Sequence, residues 1–164
     1  MERETFPGLI ESGAVVMGYH ESAYWLDVGT PQTFVRGSCD LVLGRLPAPA
    51  VPGPPGPALV LTGATVAADA LVSGGTVVGV GASVGAGATV FGSVLFDSAT
   101  VGEGAVVRDS ILGRGAVVAP GAVLEEAVVG DGAFIGSGNE LARGIRVWPG
   151  TRLEPTSIRF SSDV

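Results

Sequence analysis

A seventeen-residue repeat in the second half of the chain constrains the fold more than any other feature. Aliphatic residues recur in three series that each advance by seventeen positions, with spacings of six, six and five residues inside one repeat. The series are Val78, Leu95, Leu112 and Val129; Val84, Val101, Val118 and Ile135; and Val90, Val107, Leu124 and Leu141. A fixed period indicates stacked structural repeats, and three series predict three short strands per coil, one on each side of a triangular prism.

A second set of positions, four residues after each aliphatic one, is expected to face the same interior. A narrow prism has room for one large aliphatic side chain per strand and one small partner near each corner. On two sides the partners are small, namely Ala82, Ala99, Ala116 and Ala133, and Ala88, Ala105, Ala122 and Asn139. On the third side they are larger, namely Val94, Ile111, Val128 and Ile145.

These repeats resemble those of the hexapeptide-repeat proteins, in which an aliphatic residue, often followed by glycine, precedes a small residue. The resemblance implies the left-handed hand of the coil, which a sequence period does not reveal. We therefore predict a mainly β fold: a single-stranded left-handed parallel β-helix, preceded by a short α/β segment. A β-sandwich, with strands every ~8–12 residues, would not keep three series in step.

A proline-rich segment separates two kinds of sequence. Residues 45–58 hold six prolines in fourteen positions, which removes backbone donors and favours extended geometry. The predicted organisation is an α/β remnant over residues 1–44, a linker over 45–58 and the β-helix over 59–164.

Charge and composition exclude several classes of partner. The formal net charge is −7 and the nine basic residues are all Arg, so no basic stripe is available for nucleic acid or for an anionic membrane surface. There is no apolar run of 18 residues and no secretion signal at MERETFPG, so a cytoplasmic location is expected. The single Cys39 agrees with a reducing compartment.

The first 44 residues predict a small α/β arrangement. Residues 2–12 suggest a helix closed by Gly13, and residues 14–19 a strand. The segment 24–31, YWLDVGTP, reads as a strand that ends at Asp27 and a turn, with Thr30 as the N-cap of a helix that runs to about residue 43.

The motifs ERETFP, YWLDVGTPQTF, VWPG and IRFSSDV resemble the mannose-1-phosphate guanylyltransferases and related sugar-nucleotide pyrophosphorylases. In that family the Asp of W-x-D-x-G-T-P helps to hold the catalytic Mg²⁺, so the resemblance places this role on Asp27. It also suggests that Glu2, Tyr24 and Trp25 line or support the sugar side. The parent activity it implies is the joining of a nucleoside triphosphate and a sugar 1-phosphate, with release of pyrophosphate.

The chain departs from the family pattern in ways that shape the functional hypotheses. It contains no Lys and no match to the family's nucleotide loop, because GTRLEPT at 150–156 falls in the register of the last coils. We expect the C-terminal portion of such an enzyme, which is inactive and binds no cofactor alone. The expected partners are a missing N-terminal catalytic domain and further copies of the chain, joined through the β-helix.

Two other hypotheses stay open at this point. The chain is alternatively a stand-alone regulatory subunit that pairs with a separate catalytic half. A hexapeptide acyltransferase is the third possibility, but it requires a catalytic His, and His20, which precedes the linker, is the only one in the chain.

Overall fold

The computed structural model describes residues 2–46 and 48–159, so the end of IRFSSDV, from residue 160 to 164, lies outside the described residues. Two helices come first, α1 (Thr5–Glu11) and α2 (Pro31–Val42), and neither is long and apolar enough to cross a bilayer. Seventeen short strands follow within the described part: β1 (Ala58–Val60), β2 (Thr65–Val66), β3 (Leu71–Ser73), β4 (Thr76–Val78), β5 (Ser83–Val84), β6 (Thr89–Phe91), β7 (Val94–Leu95), β8 (Thr100–Val101), β9 (Val106–Arg108), β10 (Ile111–Leu112), β11 (Val117–Val118), β12 (Val123–Glu125), β13 (Val128–Val129), β14 (Phe134–Ile135), β15 (Glu140–Leu141), β16 (Arg146–Val147) and β17 (Arg152–Leu153).

The strands form three parallel sheets in which every third strand along the chain is a neighbour. Side A has the order β1-β4-β7-β10-β13-β16, side B β2-β5-β8-β11-β14-β17, and side C β3-β6-β9-β12-β15. This topology is a parallel β-solenoid of about six coils, and it confirms the predicted fold class. The hand of the coil follows from the family resemblance.

The predicted interior columns are confirmed. All twelve aliphatic residues of the three series are at most 3 % exposed, and the eight small partners of the first two sides are fully buried. The register pairs Val78 with Leu95 and Leu112 with Val129, one coil apart. The first and last coils are one residue longer, because Val60 pairs with Val78 and Ile135 with Leu153.

The third side differs from the prediction. Val94, Ile111 and Val128 lie outside the core cluster, because each precedes an inward aliphatic residue on its strand and successive side chains point to opposite faces. The inward small residues are instead Thr76, Ser93, Ser110 and Ala127. Ile145 does pack against the core, as predicted, because the last coil has six residues on this side.

The buried hydroxyls of this corner form a ladder along the axis. Ser93 Oγ donates to the carbonyl of Phe91 and accepts the backbone N–H of Ser110 at 3.1 Å. Ser110 Oγ repeats the pattern, since it donates to the carbonyl of Arg108 and accepts the N–H of Ala127 at 3.0 Å. Each hydroxyl therefore pairs with two backbone groups, one of them a buried N–H, where the five-residue side turns too tightly for a direct bond between neighbouring coils.

The glycine-rich segment at the end belongs to the β-helix, as predicted. Arg152 and Leu153 form β17, which pairs with β14, and Leu153 packs against the core. Asn139 closes this end, because its amide donates to the carbonyls of Gly136 and Glu154 and its oxygen accepts the N–H of Ile158.

Replacing Ser110 with Ala should destabilise the β-helix by about 1–3 kcal/mol, because the buried N–H of Ala127 loses its acceptor. Ser83→Ala is the matched control: Ser83 is half-buried and its hydroxyl contacts that of Thr100, so we expect a change within about 0.5 kcal/mol. Urea unfolding followed by circular dichroism measures both values. Equal losses for the two variants would contradict the role of the ladder.

Candidate functional site

The start of α2 is defined by a reciprocal cap. Thr30 Oγ1 accepts the N–H of Thr33, the hydroxyl of Thr33 accepts the N–H of Thr30, and Pro31 occupies the first turn. Two of the N–H groups that a helix start leaves unpaired are thus satisfied. The predicted N-cap and helix are confirmed. The predicted strands at 14–19 and 24–27 are not formed: these segments have no strand assignment and are mostly exposed, because no neighbouring strand pairs with them.

One face of α2 is docked on the β-helix. Val35, Cys39 and Val42 are buried, and the Phe34 and Phe96 rings stack at a centroid distance of 6.4 Å with 7° between their planes. Phe96 lies outside the core cluster, and α2 covers its ring. The contact attaches the first segment of the chain directly to the rod.

A glycine at the first coil allows this close approach. A Cβ atom on Gly75 would lie 2.6 Å from the Cys39 carbonyl oxygen, and Gly75 adopts a φ of +80°. The proline-rich segment folds back over the same region, since the Gly56 N–H donates to the Val42 carbonyl and the Gly75 N–H donates to the Pro57 carbonyl. The end of the segment is therefore hydrogen-bonded both to the end of α2 and to the first coil. We call this region, where α2 and residues 56–57 meet the first coils, the joint.

A buried carboxylate lies at the centre of the joint. Asp40 is 2 % exposed, and it accepts hydrogen bonds from the Tyr24 hydroxyl at 2.6 Å and from the Arg45 guanidinium, with Arg36 Nε at 3.8 Å. Burial alone would raise the pKa of Asp40, but the hydrogen bonds from Tyr24 and Arg45 and the two positive charges outweigh it and lower the pKa. Asp40 is therefore ionised at neutral pH.

The segment that carries Asp27 crosses α2 closely. A Cβ on Gly37 would lie 3.2 Å from Leu26 Cδ2 and 3.5 Å from Val28 Cγ1, so this small residue makes room for the crossing. Asp27 is exposed, and its Oδ1 accepts the N–H of Gly29 at 3.0 Å. The hydrogen bond orients the carboxylate at the turn before α2.

Asp27 fits the role of one Mg²⁺ ligand. Mg²⁺ is usually held by one or two carboxylates together with substrate phosphates and waters, and an exposed, oriented carboxylate suits that arrangement. Between residues 2 and 159, Pro47 aside, no three His, Cys, Asp or Glu side chains come together to hold a metal ion. The other ligands would have to be substrate phosphates, water or groups outside the described residues.

The residues suggested for the sugar side differ in their surroundings. Glu2 and Trp25 are exposed, Trp25 at 82 %, whereas Tyr24 is tied to Asp40. Tyr24 and Trp25 border an apolar cavity of about 430 Å³ that α2 lines with Phe34 and Leu41. Their sugar-side role stays a prediction.

Sequence reasoning missed Asp40 as a structural centre. The signal was present, because an acidic residue stands between Cys39 and Val42 on a helix whose other face is solvated. An acid among core positions points to a buried ion pair.

The chain before α2 leaves many apolar side chains in water. Helix α1 has no buried residue, and the exposed large side chains in this part are Phe6, Leu9, Ile10, Val15, Val16, Met17, Tyr19, Tyr24, Trp25 and Val28. So many exposed large apolar side chains within one stretch of the chain are typical of an interface.

A second cavity of about 430 Å³ lies between α2 and the corner of sides C and A. Arg36, Arg45, Asp109 and Glu126 are among its lining residues. Burial, and then the charge of Glu125, raise the pKa of Asp109. Asp40 also lines the cavity, so its charged lining consists of two arginines and three carboxylates, a formal excess of one negative charge.

Together, the coiled sheets and the docked helix define a hexapeptide-repeat β-helix protein with an attached helical segment. The chain belongs to the GMPPB C-terminal domain family, whose model matches residues 55–154. It is 50 % identical over 165 residues to the mannose-1-phosphate guanylyltransferase of Mycobacterium tuberculosis (strain ATCC 25618 / H37Rv). That match covers the whole chain but only 46 % of the enzyme, in its C-terminal part.

Two solved structures are also similar to the chain. A hexapeptide transferase family protein from Anaplasma phagocytophilum is 20 % identical with a TM-score of 0.44, covering 65 % of this chain and 80 % of that one. The acetyltransferase domain of PglB from Neisseria gonorrhoeae FA1090, in complex with acetyl coenzyme A, is 24 % identical with a TM-score of 0.42, covering 58 % and 53 %.

Cys39 provides a chemical probe of the docked helix. Its thiol is buried, and burial, followed by the charges of Asp109 and Asp40, raises its pKa to about 11. Since only the thiolate reacts, labelling by a disulfide reagent at pH 8 should be slow and should accelerate as pH rises toward 11.

We expect Gly75→Ala to displace α2 and to raise the labelling rate of Cys39 at pH 8 by at least about tenfold.

Gly132→Ala is the matched control, because Gly132 also has a positive φ, of +64°, but a Cβ there meets nothing within 4 Å. It carries the backbone strain without the collision with Cys39. Circular dichroism checks that both variants keep the β-helix. Equal labelling rates for the two variants would show that α2 does not depend on this contact.

Proposed function

We propose that this chain is the C-terminal part of a sugar-1-phosphate nucleotidyltransferase of the GDP-mannose type. The observation that carries the proposal is the 50 % identity to a mannose-1-phosphate guanylyltransferase across the whole chain. In the proposed reaction, a phosphate oxygen of the sugar 1-phosphate attacks the α-phosphorus of GTP. The bond to the bridging oxygen of the β-phosphate breaks, and pyrophosphate leaves.

The chain's own contribution to this reaction is one oriented carboxylate. Asp27 stands at the turn before α2 with Oδ1 held by the N–H of Gly29, so little rearrangement is needed for it to bind a cation. A bound Mg²⁺ would neutralise phosphate charge that accumulates during the transfer. The nucleotide and most of the sugar contacts fall to the catalytic domain in this proposal.

The partner of the exposed apolar segment is the remainder of that catalytic domain. Residues 5–28 carry ten exposed large apolar side chains while α1 buries none. Strands and helices of an α/β domain bury such residues against neighbouring elements. The segment is thus suited to complete a sheet supplied by the missing half, in a protein of the cytoplasm, where the free thiol of Cys39 would remain reduced.

The β-helix is proposed to assemble copies of the enzyme. Side A presents an outward aliphatic row, Val77, Val94, Ile111 and Val128, of which α2 covers only the upper part. Ile111 and Val128 remain partly exposed beyond the helix. A sheet face with an apolar row of this kind suits a symmetric contact between two rods.

The 164-residue chain alone should make no GDP-mannose, and the chain joined to its catalytic domain should do so. In the joined enzyme, Asp27→Asn should lower kcat on the order of 100-fold, because a carboxylate ligand of the cation is lost. Asp69→Asn, on an exposed turn of the β-helix, is the control and should leave kcat unchanged. Turnover by the isolated chain, or equal activity of both variants, would contradict the proposal.

Light scattering tests the assembly role. We expect the joined enzyme to be at least a dimer, and Ile111→Glu to lower its mass by placing a charge on side A. Thr100→Glu, which places a charge on the outward row of side B, is the control and should not change the mass. A strict monomer before any substitution would sink the assembly role.

A further inference from the structure

Three segments of the chain converge on one buried carboxylate. Tyr24 comes from the segment before α2, Arg36 from α2 itself and Arg45 from the start of the proline-rich segment, and all three contact Asp40. Asp40 is 2 % exposed, whereas Arg36 and Arg45 are 68 % and 60 % exposed. The carboxylate is thus the fixed member of the cluster, and the groups around it are the ones that can move.

The position of Asp40 is set by the β-helix. The preceding residue, Cys39, lies very close to Gly75: a Cβ atom on Gly75 would be 2.6 Å from the carbonyl oxygen of Cys39. The Phe34–Phe96 stack holds the same helix one coil further along the rod, since β4, which follows Gly75, pairs with β7, which precedes Phe96. With contacts at both points, α2 cannot slide or rotate without breaking one of them.

The position of Asp27 depends on the same helix. Tyr24, three residues before Asp27, donates its hydroxyl to Asp40, and Leu26 and Val28 on either side of Asp27 lie over Gly37. Residues 24–29 form neither helix nor strand, so these side-chain contacts are what places the segment. A continuous chain of contacts therefore runs from Gly75 through Cys39, Asp40 and Tyr24 to the turn that carries Asp27.

We infer that Asp40 is a positioning residue: through the Tyr24 hydroxyl it holds the Asp27 carboxylate in a place determined by the β-helix. This inference rests on the proposed function for its consequence, since Asp27 matters to catalysis only if the parent enzyme is a metal-dependent nucleotidyltransferase. The tether itself is independent of that function. The two parts can therefore be tested separately.

The tether is tested in the 164-residue chain by ¹⁵N relaxation of the backbone amides. Tyr24→Phe removes only the hydroxyl and leaves Asp40 paired with Arg45, so α2 should stay folded. We expect the order parameters of residues 25–29 to fall from about 0.85 to below about 0.6, while those of α2 remain unchanged. Tyr19→Phe removes a hydroxyl from a residue that is 88 % exposed and should change neither. Unchanged order at residues 25–29 in Tyr24→Phe overturns the inference.

The consequence is tested in the chain joined to its catalytic domain. Tyr24→Phe should raise the Mg²⁺ concentration for half-maximal velocity about tenfold, with kcat at saturating Mg²⁺ largely restored. A merely structural defect would instead lower kcat at every Mg²⁺ concentration, and this outcome, or an unchanged Mg²⁺ dependence, overturns the link to Asp27. An inactive wild-type fusion would count against the proposed function, and the relaxation result would still decide whether the tether exists.

Discussion

The width of the triangular interior is the constraint on which the rest of the structure depends. Each side of a coil accommodates one large aliphatic residue and one small residue, and coils stack at about 4.8 Å, so every inward side chain touches its equivalents above and below. Leu95, Leu112 and Val129 are each at most 1 % exposed in one such column. Larger side chains do not fit in this interior. This explains why the inward positions change little from coil to coil, whereas the outward positions vary.

The same constraint explains the polar residues of the core. Where a side has only five residues, the backbone turns before a direct bond to the next coil is possible, and the hydroxyls of Thr76, Ser93 and Ser110 supply the missing acceptors. Every buried side-chain nitrogen and oxygen between residues 2 and 159, Pro47 excepted, has a hydrogen-bond partner. Polar atoms in this interior therefore serve the backbone and do not point to a catalytic centre.

The sequence predicted the β-helix well, because its periodic columns depend on local spacing alone. It misplaced Val94, Ile111 and Val128, since a five-residue side moves the inward small residue from the fourth to the third position after the aliphatic one. The joint was out of reach for a different reason. The Tyr24–Asp40 bond and the contact between Cys39 and Gly75 join residues that no period relates, so only the folded chain brings them together. The strands expected before α2 need neighbours that the described residues do not supply.

The joint uses only the upper coils, because Gly75 and Phe96 lie in the first three, while the lower coils continue the same three columns. Residues 111–127 form one repeat of seventeen residues. Deleting or duplicating this repeat would keep every column in register and would change the length of the β-helix by one coil, about 4.8 Å. The length of the β-helix and the docking of α2 can thus change independently of each other. Proteins that evolve from such a chain can therefore gain or lose coils at the far end without altering the contact that anchors α2.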